Sequence, residues 1–177
     1  MSKIVSLPGV EITQRDFHQI IIRGNGSETF NNIIKEKTSV KPPLRNLEVK
    51  YDENFVFGKN SPDQWSLIFI DKKEHNQINN LVTSINVNED LLATDCSYGQ
   101  VYFEIEGSNK DEFLNQLTHF DLRENRFPKS TMAQTIVARI DCSIYNLGSK
   151  LILTCNKSYE DYFQKRLKDT ALLSNAS

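Results

Sequence analysis

Two stretches of the chain repeat one hydrophobic rhythm. Residues 17–30 and 100–113 each carry a β-prone run, Ile20-Ile21-Ile22 in one and Val101-Tyr102-Phe103 in the other, that ends at a glycine, Gly24 or Gly107. Glycine takes the positive φ of a tight turn at no steric cost. Ser, Asn or Asp residues follow, as they should where a helix is about to be capped. A first helix is predicted over residues 27–37, with Phe30, Ile33 and Ile34 on one face, and a counterpart over 108–117, with Phe113, Leu114 and Leu117. Each pattern is apolar along a single stripe, so these helices should lie on a sheet.

After each helix the chain meets a breaker, Pro42-Pro43 or Phe127-Pro128, and returns to strand-like sequence. In the first half, strands are predicted at 54–57 and 65–70 around a turn at 58–63. In the second they fall at 133–140, 141–147 and 150–155, with a turn at Gly148-Ser149. Each half closes with a helix, one carrying Ile78, Leu81, Val82 and Ile85, the other Tyr159, Tyr162, Phe163 and Leu167; Asn156-Lys157-Ser158 starts the second as an N-cap. An added strand at 91–95 is expected to open the second half. The pattern predicts an α+β fold of two similar β-α-β-β-α halves, about 15–88 and 91–170, with largely antiparallel sheets. Residues 1–170 are expected to form a single compact domain, and 171–177 a disordered tail.

Charge narrows the classes of partner. The 177 residues carry 21 Lys and Arg against 23 Asp and Glu, a net charge of −2. That balance lacks the basic footprint of a nucleic-acid binder or a membrane-surface protein. The longest apolar runs, such as Leu67-Ile68-Phe69-Ile70, are far short of a membrane span, and the N-terminal residues lack the apolar core of a secretory signal, so a cytoplasmic location is expected. Three cysteines, Cys96, Cys142 and Cys155, fit neither a disulfide framework nor paired zinc spacing; buried reduced thiols are expected.

Catalytic constellations are missing from the sequence. Gly24-Asn25-Gly26 precedes a helix, but Thr29 stands where a dinucleotide fingerprint needs its third glycine, and neither a phosphate loop nor a nucleophile elbow occurs. His18, His75 and His119 are too far apart to share a helical face, so no local metal pair exists and no catalytic residue is assigned. The carboxylates are interspersed with Lys and Arg in the manner of solvated faces. Three residues stand out as partner-interface candidates. Trp65, the only tryptophan, reads as a core anchor first and an interface hot spot second. Arg139 and Asp141 flank Ile140 in an apolar run and should share a strand face, either as a solvent-facing ion pair or as a contact with a partner subunit.

Five sequence blocks in order carry a resemblance. They are Ser61-Pro62-Asp63-Gln64-Trp65, Asp95-Cys96-Ser97-Tyr98-Gly99, Asp121-Leu122 followed by Phe127-Pro128, Ala133-Gln134-Thr135, and Ala138-Arg139-Ile140-Asp141. Together they resemble the gamma subunit of heterotetrameric sarcosine oxidase, whose fold is similar to the folate-binding domain of the glycine-cleavage aminomethyltransferase. The resemblance implies a non-catalytic subunit that binds no cofactor itself. It implies partners in the alpha, beta and delta subunits, on which FAD, FMN, NAD, zinc and tetrahydrofolate would be bound. Self-association of the isolated chain stays open. Asp141 falls where the aminomethyltransferase relatives place an aspartate against the folate pterin. Their preceding Gly-Gly is replaced here by Val137-Ala138-Arg139, so the folate position is read as vestigial. The alternative is a free-standing folate-binding protein of the same superfamily.

Overall fold

Ser27 caps the first helix as its position predicts. Its hydroxyl accepts a hydrogen bond from the Phe30 N–H at 3.2 Å, and α1 runs over Glu28–Thr38 with Phe30 and Ile34 buried. Removing the cap leaves that N–H orphaned. The variant Ser27→Ala should lose about 1 kcal/mol, read as a lower denaturation midpoint by fluorescence of Trp65; an unchanged midpoint would refute the cap's contribution.

The computed structural model describes residues 2–71 and 73–175. Beside α1, its elements in chain order are β1 (Ser2–Leu7), β2 (Val10–Arg15), β3 (His18–Arg23), β4 (Val49–Tyr51), β5 (Phe55–Ser61), β6 (Gln64–Phe69), α2 (His75–Asn86), β7 (Leu92–Asp95), β8 (Gln100–Glu106), α3 (Lys110–Asn115), β9 (Thr131–Val137), β10 (Ile140–Asn146), β11 (Lys150–Asn156) and α4 (Glu160–Asn175). They form two compact units, residues 17–97 and residues 2–16 with 98–175.

The first unit holds a sheet of strand order β4-β5-β6-β3-β7, antiparallel throughout. Ile20, Ile22, Phe57, Trp65 and Leu67 on this sheet pack with Phe30 and Ile34 of α1 and Ile78 and Ile85 of α2. The second unit holds a sheet of order β1-β2-β8-β11-β10-β9, also antiparallel. Its core joins Ile12, Phe103 and Leu153 to Phe113 and Leu114 of α3 and Phe163 and Leu167 of α4, with the Phe103 and Phe163 rings 5.2 Å apart. Each unit is thus an antiparallel sheet with two helices on one face, the α+β duplication that the sequence predicts.

Several elements depart from the sequence reading. The unpredicted strands β1 and β2 turn at Pro8-Gly9 and add to the second unit through β2 and β8. Strand β7, expected to open the second half, pairs instead with β3 in the first unit. The side chain of Asn86 at the end of α2 clamps it there, accepting from the Ala93 N–H at 2.6 Å and donating to the Ala93 carbonyl at 3.0 Å. Strand β5 continues through Gly58 to Ser61, so its turn is the tight Pro62-Asp63 pair rather than residues 58–63; proline's fixed φ suits that corner. Of the two aligned glycines only Gly107 takes a positive φ, 114°, where a Cβ would lie 2.1 Å from the Gly9 carbonyl oxygen. Gly24 serves packing instead, since a Cβ there would fall 2.4 Å from the Phe30 ring. Helix α4 runs through 171–175, where a tail was expected, because Thr170 and Ala171 are buried; residues 176–177 lie outside the described residues.

Candidate functional site

Val137 and Ile140 oppose each other where β9 passes into β10, leaving Ala138 and Arg139 as a two-residue hairpin loop with φ of 51° and 69°. Positive φ at both positions defines the type I′ turn, which Asn-Gly normally fills. Arg139 therefore stands in a turn and not in the strand where the sequence reading put it. It shares no face with Asp141, and no ion pair joins them. The strand run lacks the glycine or asparagine that would have marked the break.

Each non-glycine residue in the left-handed region costs roughly 1–2 kcal/mol, so neighbouring structure must hold this turn. The Ala138 N–H donates to the Leu117 carbonyl at 2.7 Å, and the Tyr162 hydroxyl donates to the Ala138 carbonyl at 3.1 Å. The Thr118 hydroxyl donates to the Ile136 carbonyl at 2.7 Å. The loop after α3 and helix α4 thereby grip the hairpin from two sides.

Beside this turn lies a cavity of about 690 Å³ bordered by Arg139, Lys165, Arg166 and His119. Lys165 is paired with Asp169 at 3.3 Å, whereas Arg139 and Arg166 have no ion-pair partner among the described residues. Ile136 and Tyr162 also border it, and they remain 58% and 43% exposed. Asp141 belongs to a different place. It is exposed on β10 opposite Ile136, at a hollow of about 420 Å³ that it shares with Gln134, Ser143 and Thr154.

Trp65, the remaining interface candidate, is only 1% exposed and belongs to the core. Its indole N–H donates to the Pro43 carbonyl at 2.9 Å, its ring lies 4.5 Å from that of Phe30, and the Lys59 ammonium sits 4.7 Å from its centroid. A side chain so enclosed has no face left for a partner.

One buried ionic group escaped the sequence reading, which treated the carboxylates as solvated. Glu104 is 3% exposed; its carboxylate takes hydrogen bonds from Lys150 at 2.6 Å and from the Arg15 Nε at 2.9 Å. Burial pushes its carboxyl upward, but the Lys150 and Arg15 contacts outweigh burial and hold it below the usual carboxylate range. The alternation in β8 could have revealed it: Val101, Phe103 and Ile105 face the helices, so Glu104 must face the other way.

Cys142 and Cys155 are buried thiols directly opposite one another on β10 and β11, and Cys96 is half-buried. His75 and His119 are exposed. Among the described residues no group of three or more His, Cys, Asp or Glu is poised to hold a metal ion, and no helix is long and apolar enough to cross a membrane.

The sequence blocks singled out above act as fasteners. Trp65 ties its strand to Pro43. The Asp95 carboxylate accepts from the Ser97 N–H at 2.9 Å, and the Ser97 hydroxyl in turn accepts from the Gln19 N–H at 3.1 Å. Leu122 and Phe127 are buried, with the Phe120 and Phe127 rings edge to face at 5.2 Å. Asp121 is held at a pKa of about 2 by its hydrogen bonds with Arg123.

The architecture falls in the class of the aminomethyltransferase fold. It superposes with a TM-score of 0.67 on the glycine cleavage system aminomethyltransferase T from Bartonella henselae, at 9% identity, covering 90% of this chain and 45% of that one. More closely, it superposes on a chain of the heterotetrameric sarcosine oxidase from Corynebacterium sp. U-96, a structure in complex with pyrrole 2-carboxylate, with a TM-score of 0.82 at 17% identity, covering 96% of this chain and 87% of that one. No curated protein matches the sequence significantly. Over residues 23–172 the sequence matches the sarcosine oxidase, gamma subunit family, and the chain belongs to that family.

Proposed function

We propose that this chain is a non-catalytic gamma subunit that stabilises a heterotetrameric sarcosine oxidase by packing on its large subunit. The complex would oxidatively demethylate sarcosine to glycine, pass the methyl carbon to tetrahydrofolate and form hydrogen peroxide. Its flavins, NAD and zinc would lie on the alpha, beta and delta subunits, in the cytoplasm. The observation that carries this reading is the use made of the family blocks: Trp65, Ser97, Leu122, Phe127 and Ala138 all hold strands, turns and loops in place. What this chain shares with the family is a scaffold.

A working folate site at Asp141 is not part of the proposal. Asp141 is exposed, and the turn before it carries the side chains of Ala138 and Arg139 where the aminomethyltransferase pattern has glycines. Co-expression with the other subunits tests the reading: the tagged chain should bring down a yellow, flavin-containing complex that forms peroxide from sarcosine. A colourless monomer that binds tetrahydrofolate, with binding lost in Asp141→Ala, would overturn it.

A further inference from the structure

The β9–β10 turn presents a contradiction that folding alone does not resolve. A two-residue hairpin of this kind is most stable with asparagine and glycine, yet this one holds Ala138 and Arg139 at positive φ. Three hydrogen bonds from outside the hairpin clamp it, and none involves the Arg139 side chain. The arginine therefore does nothing for the turn that glycine would not do better. Backbone strain maintained in this way points to a use for the side chain it presents.

The surroundings say what that use is. Arg139 and Arg166 reach the same cavity from the hairpin and from α4, both without an ionic partner among the described residues, and Lys165 adds a third cation against the single carboxylate of Asp169. Such an excess attracts anions. The cavity is bordered by half-exposed Tyr162 and largely exposed Ile136, so it offers apolar contact beside the charge. Arginine and tyrosine around a concavity are the composition of an interface centre, where a guanidinium can hold a carboxylate through two parallel hydrogen bonds.

We propose that this cavity seats a carboxylate-bearing segment of another subunit, with Arg139 and Arg166 as the recognition residues and Tyr162 and Ile136 as the apolar wall. The inference rests on the subunit role proposed above. Charge complementarity favours an acidic protein segment: the site combines cations with an aromatic and an aliphatic wall. The strained arginine is kept for this contact at the expense of the free chain's stability.

The test is co-expression of the tagged chain with its partner subunits, comparing wild type, Arg139→Gly, Arg166→Glu and the remote control Lys3→Glu. Arg139→Gly should unfold at the same or a higher denaturant concentration than wild type, because it relieves the turn, and yet retain roughly tenfold less partner, the loss expected when a close interfacial charge pair is removed. Arg166→Glu should lose capture to a similar extent, and Lys3→Glu should lose none. Wild-type capture should also weaken with added salt more steeply than that of Arg139→Gly. Wild-type capture with undiminished capture by both arginine variants would overturn the docking surface and leave the subunit role standing. Failure of wild type to capture any partner would overturn the subunit role and this inference with it.

Discussion

Replacing Trp65 with alanine should destabilise the first unit by about 3–5 kcal/mol, the range for deleting a large buried aromatic. Three losses combine there. The cavity left behind would be walled by Phe30, whose ring lies 4.5 Å away on α1, and by the backbone of Gly26, where a Cβ would stand 3.2 Å from the indole. The Pro43 carbonyl would lose its 2.9 Å partner, and Lys59 the ring beneath its ammonium. Pro43 belongs to the irregular segment between α1 and β4, so the indole fastens a stretch with no ladder of its own. The conservative variant Trp65→Phe keeps most of the packing but not the donor, and should lose only about 1–3 kcal/mol. Denaturant unfolding followed by far-ultraviolet circular dichroism measures both. A loss below about 1 kcal/mol for Trp65→Ala would mean that the side chain is not the anchor of this core.

What the sequence disclosed was whatever local chemistry specifies. Ser27 and Asn156 are readable as caps because the side chain bonds an N–H two or three residues on, at 3.2 Å and 2.9 Å. The helical stripes of Phe30 and Ile34, and of Phe163 and Leu167, are readable because burial follows the helical period. The strands at the N-terminus carry a local sign in the Pro8-Gly9 turn between them. The partner of β7 could not be read, because the clamp from Asn86 operates through the fold. The spacing of Arg139 from Asp141 is visible in the sequence, but spacing alone cannot show a turn built from the wrong residues for a turn. The cavity beside it is assembled from a loop, a hairpin and a helix, so its charge exists only in three dimensions. A lone tryptophan suits a core anchor and an interface hot spot alike, and only its 1% exposure separates the two.

Converting Glu104 to glutamine should be nearly as costly as the loss of Trp65, although the two side chains have the same shape. Glu104 is almost fully enclosed, and both cations that hold it, Arg15 and Lys150, are themselves only 29% and 26% exposed. Neutralising the one carboxylate that both cations share in a buried ionic cluster takes away the charge that balances them, a loss of about 3–5 kcal/mol. Its pH dependence identifies the cause. The folded carboxyl lies below its ordinary value, so the unfolded chain binds the proton more readily than the native one. The stabilisation is therefore complete above the unfolded carboxyl's pKa of about 4.3 and is lost as pH falls through the lower folded value. The gap between wild type and Glu104→Gln should be constant near neutrality and narrow in acid. A gap that persists unchanged well below the folded value would show that the glutamine variant fails for reasons of packing. Replacing the whole cluster, Arg15→Met and Lys150→Met together with Glu104→Leu, should recover much of the stability that Glu104→Gln loses, since a well-packed apolar substitute for a buried ion cluster is often neutral or stabilising.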